Sequence, residues 1–384
     1  MPPRIVYLAT ADARGHLMRA QLVAHALRAA GASVQVLTTS DEGARFLAGF
    51  GIEAPVLSRH YAVQFDREQN MLRRETDRNV AHYMFRPGRM LRDILRLRAW
   101  FRDADLVVND SFHPALLFMG WMPGWRRKVV HVYGASLRHA LQSNFSGRMP
   151  AWMAGIFARI VAWQIDRSRA RIAHDFAYGE PQNDGRGAHR LATPVAVMGA
   201  DTEAHDDLAP QAAVYLNPHF EESGLADGLE RGLADARVPA HLVGEGYAQR
   251  AGWHAQDEHW IEMAARSAFI VSAPGMAALS IAAVYRKPIL LLLTDQPEQA
   301  INAQRAAQLG LHHRTVVWQG RTGDFAQAVA TAASELLALA DNGNGPQAAQ
   351  KGREAAIARL QQWTVLLYSL AAAAQPARPA RPSR

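Results

Sequence analysis

Residues 5–19, IVYLATADARGHLMR, decide the fold class of this chain. Residues 5–9 are an apolar run of strand length, and residues 16–30 show the apolar spacing of a helix that ends at Gly31. Residues 33–38 form the next β-rich apolar run. A strand, a helix and a second strand in this order predict a βαβ unit, and therefore a parallel sheet in an α/β fold.

The same alternation continues along the chain in two series. In the first series, short β-rich runs follow at residues 105–109 and 128–133. The second series alternates in the same way, with strands predicted at residues 213–217, 240–243, 268–272 and 289–293 and helices at residues 258–266, 277–285 and 299–309.

A polar, turn-rich stretch separates the two series. It covers residues 179–189, and the linker is expected between there and residue 210. We therefore expect one domain over residues 1–190 and a second over residues 191–365. Residues 375–384 are rich in proline and arginine, which predicts a disordered tail.

The composition excludes several classes of site. The chain has 384 residues, of which 49% are hydrophobic, enough for two domains with a core each. It has no cysteine, which excludes disulfides, thiolate catalysis and cysteine-ligated zinc or iron–sulfur sites. Neither a signal-peptide pattern nor an apolar run near the ~18 residues of a membrane helix is found. These patterns predict a cytoplasmic protein that is soluble or lies at a membrane surface.

The net charge of +7 is concentrated in one segment. Residues 59–102 contain 11 arginines, no lysine and five acidic residues. Arginines beside methionine and aromatic residues suit anionic lipid headgroups or a diphosphate-bearing acceptor, and Arg73 and Arg74 lie at the centre of this segment. A solvated helical face explains the same charges, whereas a nucleic-acid groove is disfavoured. We therefore expect an anionic membrane surface, and no nucleic acid, as a partner.

Residues 150–167 carry apolar side chains at helical spacing, among them Trp152, Met153 and Phe157. Such a stripe can lie in a membrane interface. It can equally pack against its own domain. The sequence leaves both possibilities open.

Two polar residues follow predicted strands of the first series. His16 stands at the strand-to-helix turn, and Asp110 follows the strand at residues 105–109. Because the carboxyl ends of parallel strands share one edge of a sheet, the two side chains could meet there. A carboxylate on one ring nitrogen fixes the histidine tautomer, so that the other nitrogen can take a proton. The alternatives are a helix-start histidine, an aspartate cap, and His113 as the functional imidazole.

The second series places polar residues where its strands end and its helices begin. Glu298 and Gln299 put a carboxylate and an amide at the start of a predicted helix, and Asn302 follows in the same helix. Gly275 precedes a helix whose N-terminus favours an anion. Further candidate residues at strand ends and within that helix are Gly244, Glu245 and Ser280. The 16 histidines show no spacing typical of a metal pair, so we expect no metal and no cofactor.

Residues 13–27, ARGHLMRAQLVAHAL, resemble the N-terminal signature of GT-B glycosyltransferases. The resemblance is to family 28, which includes the enzyme that adds N-acetylglucosamine to lipid-linked muramoyl-pentapeptide, and to related UDP-glycosyltransferases with a Gly-His-x-x-Arg motif. Residues 264–309 follow that group's donor-binding region in order. The resemblance implies two Rossmann-like domains that face each other across a cleft.

The resemblance also implies roles for individual residues. His16 would be the catalytic base with Asp110 as its partner. Glu298 and Gln299 would bind the hydroxyls of the donor sugar, and Asn302 would support their loop. The other donor-binding residues would be Gly244, Glu245, Gly275 and Ser280. The co-substrate would be a nucleotide-diphosphate sugar, most often a UDP-sugar in that group. The acceptor would be lipid-linked or apolar, at the inner face of the cytoplasmic membrane, as in cell-envelope synthesis.

Three positions depart from the family pattern. Ala273 and Ala278 replace frequent histidine and serine or threonine ligands, and Ile281 stands where a glutamate usually binds the ribose. The donor is then held in another way, through Glu245, His219 or Ser280, or nucleotide binding is lost. A glycosyltransferase is the leading hypothesis. The alternatives are a nucleotide-sugar hydrolase on the same fold and a non-catalytic protein that binds a glycan or a partner.

Overall fold

The structure is a computed structural model. It describes residues 1–10, 14–57, 87–110, 113–135, 151–199, 212–218, 220–294, 296–308, 310–340 and 346–374. The segment with Arg73 and Arg74 and the tail at residues 375–384 lie outside the described residues, so the expectations about them stay predictions. The chain divides into two units: unit 2 holds Thr193–Ala358, and unit 1 holds the described residues before and after it.

Unit 1 contains a sheet of seven strands in the order β2-β1-β3-β4-β5-β7-β6. All neighbours are parallel except β6 and β7, which form an antiparallel hairpin. Its strands are β1 (Arg4–Ala9), β2 (Ser33–Thr38), β3 (Leu106–Asp110), β4 (Val129–Gly134), β5 (Ala170–Asp175), β6 (Gln182–Asn183) and β7 (Ala188–Ala192). The predicted strands of the first series are therefore confirmed, with bounds shifted by at most one residue.

Helices cover both faces of this sheet. They are α1 (Arg14–Ala29), α2 (Asp41–Ala48), α3 (Pro87–Asp103), α4 (Pro114–Trp121), α5 (Ala151–Asp166) and the end of α11 (Pro346–Ala372). Apolar side chains of α1, α2 and α11 share one buried cluster with the strands. Those of α3 and α4 share a second, and α5 packs on α4 in a third. The sheet is thus buried on both sides, which explains its continuous apolar strands.

Unit 2 contains a parallel sheet of six strands in the order β10-β9-β8-β11-β12-β13. Its strands are β8 (Ala212–Leu216), β9 (Ala240–Gly244), β10 (Trp253–His254), β11 (Phe269–Ser272), β12 (Ile289–Leu293) and β13 (His313–Val317). Its helices are α6 (Ser223–Asp235), α7 (Trp260–Arg266), α8 (Met276–Val284), α9 (Pro297–Gln308) and α10 (Thr322–Ala340). Helices α6 and α10 pack on one face of the sheet, while α7 and α8 share a cluster with residues 195–198 and Ala356.

Two features differ from the sequence predictions. The polar stretch at residues 179–189 contains strand β6 and the start of β7, because a hairpin needs the same turn residues as a linker. The sequence places the last helix in the second domain up to residue 365, whereas its residues from Arg359 onward belong to unit 1. The physical reason is Trp363, whose buried ring donates from Nε1 to the carbonyl of Ala192 at 2.8 Å.

Candidate active site

The register of β1 and β3 places Asp110 beneath helix α1. Tyr7 pairs with Val108 and Ala9 pairs with Asp110 in this parallel ladder. Side chains two residues apart on a strand share a face, so Tyr7 and Asp110 lie on the same face of the sheet. Helix α1 covers that face, and its first turns carry His16 and Arg19.

Four hydrogen-bond donors converge on the carboxylate of Asp110, which is fully buried. Oδ1 lies 2.9 Å from His16 Nδ1 and accepts from Arg19 Nη2 at 2.5 Å. Oδ2 accepts from Arg19 Nε at 2.7 Å and from the hydroxyl of Tyr7 at 2.7 Å. A carboxylate has about four lone-pair sites, so these donors satisfy all of them.

The charges in this cluster stabilise one another. Burial by itself would raise the pKa of Asp110, but the Arg19 guanidinium and the His16 contact hold that pKa well below its usual value. Burial alone would likewise lower the pKa of Arg19, and the Asp110 charge raises it instead. Burial and the same negative charge raise the pKa of Tyr7 well above its usual value. The cluster therefore contains a carboxylate, a guanidinium and a neutral phenol at neutral pH.

His16 is the member of the cluster that reaches solvent, with 30% of its side chain exposed. Its Nδ1 faces Oδ1 of Asp110, which can only accept, so we assign the ring proton to Nδ1. The lone pair of the ring is then on Nε2. An imidazole oriented in this way can accept a proton from a hydroxyl or from water.

His113, the alternative imidazole, is fully buried. It precedes helix α4 as its N-cap, and its Nδ1 accepts from the backbone N–H of Ala115 at 3.3 Å. Its Nε2 lies 3.8 Å from Oδ2 of Asp93, which is also buried. This histidine thus has a structural role at a helix start.

In unit 2, the backbone of the turn before helix α8 is not covered by neighbouring side chains in the described part of the chain. Gly275 is the N-cap of α8, and no side chain caps the helix there. A Cβ at Gly275 would meet no atom closer than the carbonyl oxygen of Ala273 at 4.0 Å. The first N–H groups of a helix without a side-chain cap are available to an anion.

The amide residues predicted to bind the donor make internal hydrogen bonds. Gln299 accepts through Oε1 from the backbone N–H of Thr294 at 2.7 Å, which leaves its Nε2 as the group that could reach a ligand. Asn302 donates from Nδ2 to the carbonyl of Pro274 at 2.9 Å. These bonds tie the start of α9 to the end of β12 and to the Gly275 turn. The side chain of Glu298 lies outside the described residues.

The other donor-side residues differ in their surroundings. Ser280 is buried and donates to the carbonyl of Met276 at 2.6 Å, within its own helix. A Cβ at Gly244 would come within 2.9 Å of the Trp253 ring, so this glycine serves packing. Glu245 is exposed just after β9. Ile281 packs into the apolar cluster of α7 and α8.

Helix α5 presents an apolar stripe to solvent. Trp152 is 67% exposed, and Ile156, Ile160 and Trp163 follow at helical spacing with large exposed surfaces. Phe157 and Met153 lie in the same helix, but their side chains are outside the described residues. In the described part of the chain, no helix combines the length and the apolar character required to cross a membrane. The described residues also contain no cluster of three histidine or acidic side chains that could hold a metal.

Arg19 and Tyr7 are the members of the cluster that sequence reasoning missed. Arg19 lies three residues after His16, hence on the same side of α1, and it is 4% exposed. A charged residue among the apolar positions of α1 was the available signal. Tyr7 reads as an ordinary core residue of a strand, so no sequence pattern pointed to it.

Several solved structures of similar architecture are glycosyltransferases. The calicheamicin glycosyltransferase CalG4 matches with a TM-score of 0.60 at 15% identity, over 98% of this chain and 100% of that one. The glycosyltransferase of kitacinnamycin matches with a TM-score of 0.58 at 16% identity, over 98% and 100%. The spinosyn rhamnosyltransferase SpnG, complexed with thymidine diphosphate, matches with a TM-score of 0.55 at 14% identity, over 96% and 99%.

These likenesses show that the chain has the GT-B fold with two Rossmann-like domains, as the sequence resemblance implied. No family model matches the sequence, and no curated protein sequence matches it. The likeness to solved structures therefore identifies the fold, whereas the function depends on the side chains of the site.

Proposed function

We propose that this protein is a glycosyltransferase that moves a sugar from a nucleotide-diphosphate sugar to a hydroxyl of a lipid-linked or otherwise apolar acceptor. The observation that carries the proposal is the 2.9 Å contact between His16 Nδ1 and Asp110 Oδ1 on a GT-B fold. A partly exposed imidazole whose other ring nitrogen contacts a buried carboxylate can act as a general base toward a substrate hydroxyl.

In the proposed reaction, His16 Nε2 takes the proton of the acceptor hydroxyl. The acceptor oxygen forms a bond to the anomeric carbon of the donor, and the bond from that carbon to the diphosphate oxygen breaks. The electron pair leaves with the nucleoside diphosphate, and the imidazolium later returns its proton to water. Asp110 keeps the proton of the ring on Nδ1, so that Nε2 is ready for the next cycle.

The donor diphosphate would bind at the N-terminus of α8. The open backbone at Gly275 allows phosphate oxygens to approach, and the helix dipole stabilises the charge that develops on the leaving group. Gln299 would donate from Nε2 to the sugar. The bound thymidine diphosphate of SpnG supports a pyrimidine diphosphate, with uridine diphosphate as the first compound to test.

The acceptor side would lie at an anionic membrane surface on the cytoplasmic side. The support is the exposed stripe of α5, together with Arg159 and Arg167, which are exposed on and just after the same helix. Arg167 also lies over the ring of Trp163, at 5.6 Å from its centroid. Exposed aromatic and apolar side chains flanked by arginines are typical of a surface that contacts anionic lipid.

The first experiment is thermal unfolding of the purified chain with a panel of nucleotides and nucleotide sugars. A ligand at 100 times its dissociation constant adds about 2.7 kcal/mol to the free energy of unfolding, so selective stabilisation by one diphosphate identifies the donor. Transfer to an apolar acceptor is then measured for the wild type and for His16→Ala. The matched control is His25→Ala, because His25 is exposed on the same helix.

We expect His16→Ala to lose transfer by at least about 100-fold and His25→Ala to keep it. Equal transfer by His16→Ala and the wild type would contradict the proposal. Release of free sugar without an acceptor would instead identify a nucleotide-sugar hydrolase.

A second candidate function is a non-catalytic glycan-binding or partner-binding protein. It is favoured by Ser280 and Ile281, whose side chains serve packing within unit 2 rather than a ligand. This function predicts no stabilisation by any nucleotide in the panel. It also predicts full biological activity for His16→Ala.

A further inference from the structure

We propose that unit 1 carries a second ligand site, a groove that binds a phosphate monoester with an apolar or aromatic substituent. The groove lies between helix α3 and the loop before β4. Its volume is about 520 Å³, within the range of about 300–1,000 Å³ that is usual for small-molecule sites. The lining side chains that matter for the proposal are Leu95, Arg98, Phe101, Arg102, Trp125 and Lys128.

The groove lies at the edge of the sheet opposite to the candidate active site. Phe101 and Arg102 come just before β3, and Lys128 comes just before β4, so these residues are at the amino ends of the strands. Asp110 is the last residue of β3. A strand of five residues that rises about 3.3 Å per residue puts about 13 Å between its ends. A ligand in the groove therefore leaves His16 free, and the site goes beyond the proposed function.

Three cationic side chains from two segments line the groove. Arg98 and Arg102 are exposed and lie one turn apart on the same side of α3. In the described part of the chain, neither guanidinium forms a hydrogen bond or an ion pair. Lys128 adds a third positive charge from the loop. Like charges at this spacing repel each other, and an anion between them would relieve that repulsion.

Lys128 is held in place without a ligand. Its Nζ donates to the carbonyl of Phe101 at 2.7 Å, and its own carbonyl accepts from the backbone N–H of Val107 at 2.7 Å. An ammonium group has three donors, so two remain for an anion. Because the side chain is already ordered, binding costs less conformational entropy than it would with a mobile lysine.

No acidic side chain is among the described residues that line the groove. Asp103 follows Arg102 on α3, and neighbouring residues on a helix do not face each other. Asp105 accepts through Oδ2 from the backbone N–H of Arg4 at 2.9 Å. The dipole of α3 favours a cation in its last turn, which explains Arg102 but neither Arg98 nor Lys128.

The same groove has an apolar part. The ring of Trp125 packs on that of Phe101, with 6.2 Å between the centroids, and Phe101 is buried. Leu95 is 55% exposed and lies one turn before Ala99 on α3. Apolar and cationic side chains that line one groove suit a ligand with an apolar substituent and an anionic group.

A phosphate monoester has the charge that this groove requires. It carries between about −1.5 and −2 at pH 7 and offers three acceptor oxygens, which match two guanidinium groups and one ammonium group. A carboxylate has a single negative charge and would compensate less of the positive charge. The same chemistry occurs in a soluble aryl phosphate and in the headgroup of phosphatidic acid.

The first test is calorimetric titration of the full chain with phenyl phosphate. We expect Arg98→Gln with Arg102→Gln to weaken binding by about tenfold or more, because two charge-assisted hydrogen bonds are lost. Arg89→Gln with Arg92→Gln is the matched control, since it removes the same charge from exposed positions of α3 that do not line the groove. The control should bind as the wild type does.

The second test concerns the apolar part. Leu95→Ser should weaken the binding of phenyl phosphate by about threefold or more and leave that of inorganic phosphate unchanged. Its matched control is Leu91→Ser, one turn earlier on α3, because Leu91 is 57% exposed and does not line the groove. Equal effects of the two substitutions would overturn the assignment of an apolar substituent.

Vesicles of phosphatidylcholine with and without phosphatidic acid distinguish the two sources of the phosphate. Binding of phenyl phosphate that depends on Arg98 and Arg102 supports a soluble ligand. Binding to phosphatidic acid alone, with the same dependence, supports a lipid headgroup. The proposal is overturned if neither ligand binds, or if the groove variant and its control bind both ligands equally. None of these measurements uses a sugar donor, so their failure is distinguishable from failure of the proposed function.

Discussion

The guanidinium of Arg19 and the carboxylate of Asp110 form a bidentate pair under the first turns of helix α1, with donor–acceptor distances of 2.7 and 2.5 Å. Both side chains are buried, so neither charge has water as a substitute partner. Removal of either partner would therefore leave the other charge buried and unpaired, which destabilises unit 1.

The first prediction concerns removal of one charge. Asp110→Ala should lower the free energy of unfolding by about 3–5 kcal/mol, because it leaves the Arg19 cation buried without a partner. Urea denaturation followed by circular dichroism measures this loss. Asp103→Ala, which changes an exposed aspartate near the end of α3, should stay within about 0.5 kcal/mol of the wild type. Similar losses in both variants would contradict the prediction.

The second prediction concerns the hydroxyl of Tyr7. Tyr7→Phe should destabilise the protein by about 1–3 kcal/mol, because one lone pair of a buried carboxylate loses its donor. Transfer activity should remain, since His16 keeps its own contact with Asp110. The control is Tyr247→Phe in unit 2, which removes a hydroxyl that donates to the carbonyl of Glu222 at 3.1 Å. Tyr247→Phe should lower the free energy of unfolding by less, about 1 kcal/mol, because the carbonyl acceptor is uncharged.

The third prediction concerns pH and Lys287. Burial lowers the pKa of this lysine to about 8 in the folded chain, whereas in the unfolded chain its pKa is near the ordinary lysine value of 10.5. Between these values the unfolded state binds more protons, so stability rises with pH, by at most about 1.4 kcal/mol per unit. Denaturation at pH 8 and at about pH 9.5 should show this rise, and Lys287→Met should remove it. A variant with the same slope as the wild type would disprove the assignment.

The fourth prediction concerns helix α11. Trp363→Ala should cost about 3–5 kcal/mol, because it opens a cavity in the core of unit 1 and leaves the carbonyl of Ala192 without its donor. Trp152→Ala removes an indole of the same size from an exposed position and should leave stability within about 0.5 kcal/mol of the wild type. Comparable losses would mean that the end of α11 does not hold unit 1 together.

The fifth prediction concerns the apolar stripe of α5. Replacement of Trp152, Ile156 and Ile160 by serine should weaken binding to vesicles with anionic lipid by about tenfold or more, because these side chains would no longer enter the interface. Cosedimentation measures the binding. Val365→Ser is the control, since Val365 is 68% exposed on another helix. Unchanged binding of the triple variant would contradict the proposal that this protein contacts a membrane surface.

Local patterns predicted most of the secondary structure. Strands β2 and β12 have the predicted bounds, and α1 differs by one or two residues at its ends. The contact of His16 with Asp110 also followed from local information, because parallel strands deliver their carboxyl ends to one edge of a sheet. By contrast, Tyr7 contacts Asp110 because of the register between β1 and β3, and Arg19 contacts it because of the side of α1 that faces the sheet. Neither relation can be predicted from a short stretch of sequence.

The sequence by itself determined the α/β class, the two series of strands and helices, and the residues available for chemistry at the sheet edge, because periodicity and turn residues act over a few positions. Only the tertiary structure decided that Arg19 pairs with Asp110, that Asn302 bonds to the carbonyl of Pro274, and that the end of α11 belongs to unit 1. Each of these depends on contacts between residues distant in the chain. Their geometry is set by packing, which local preference does not encode.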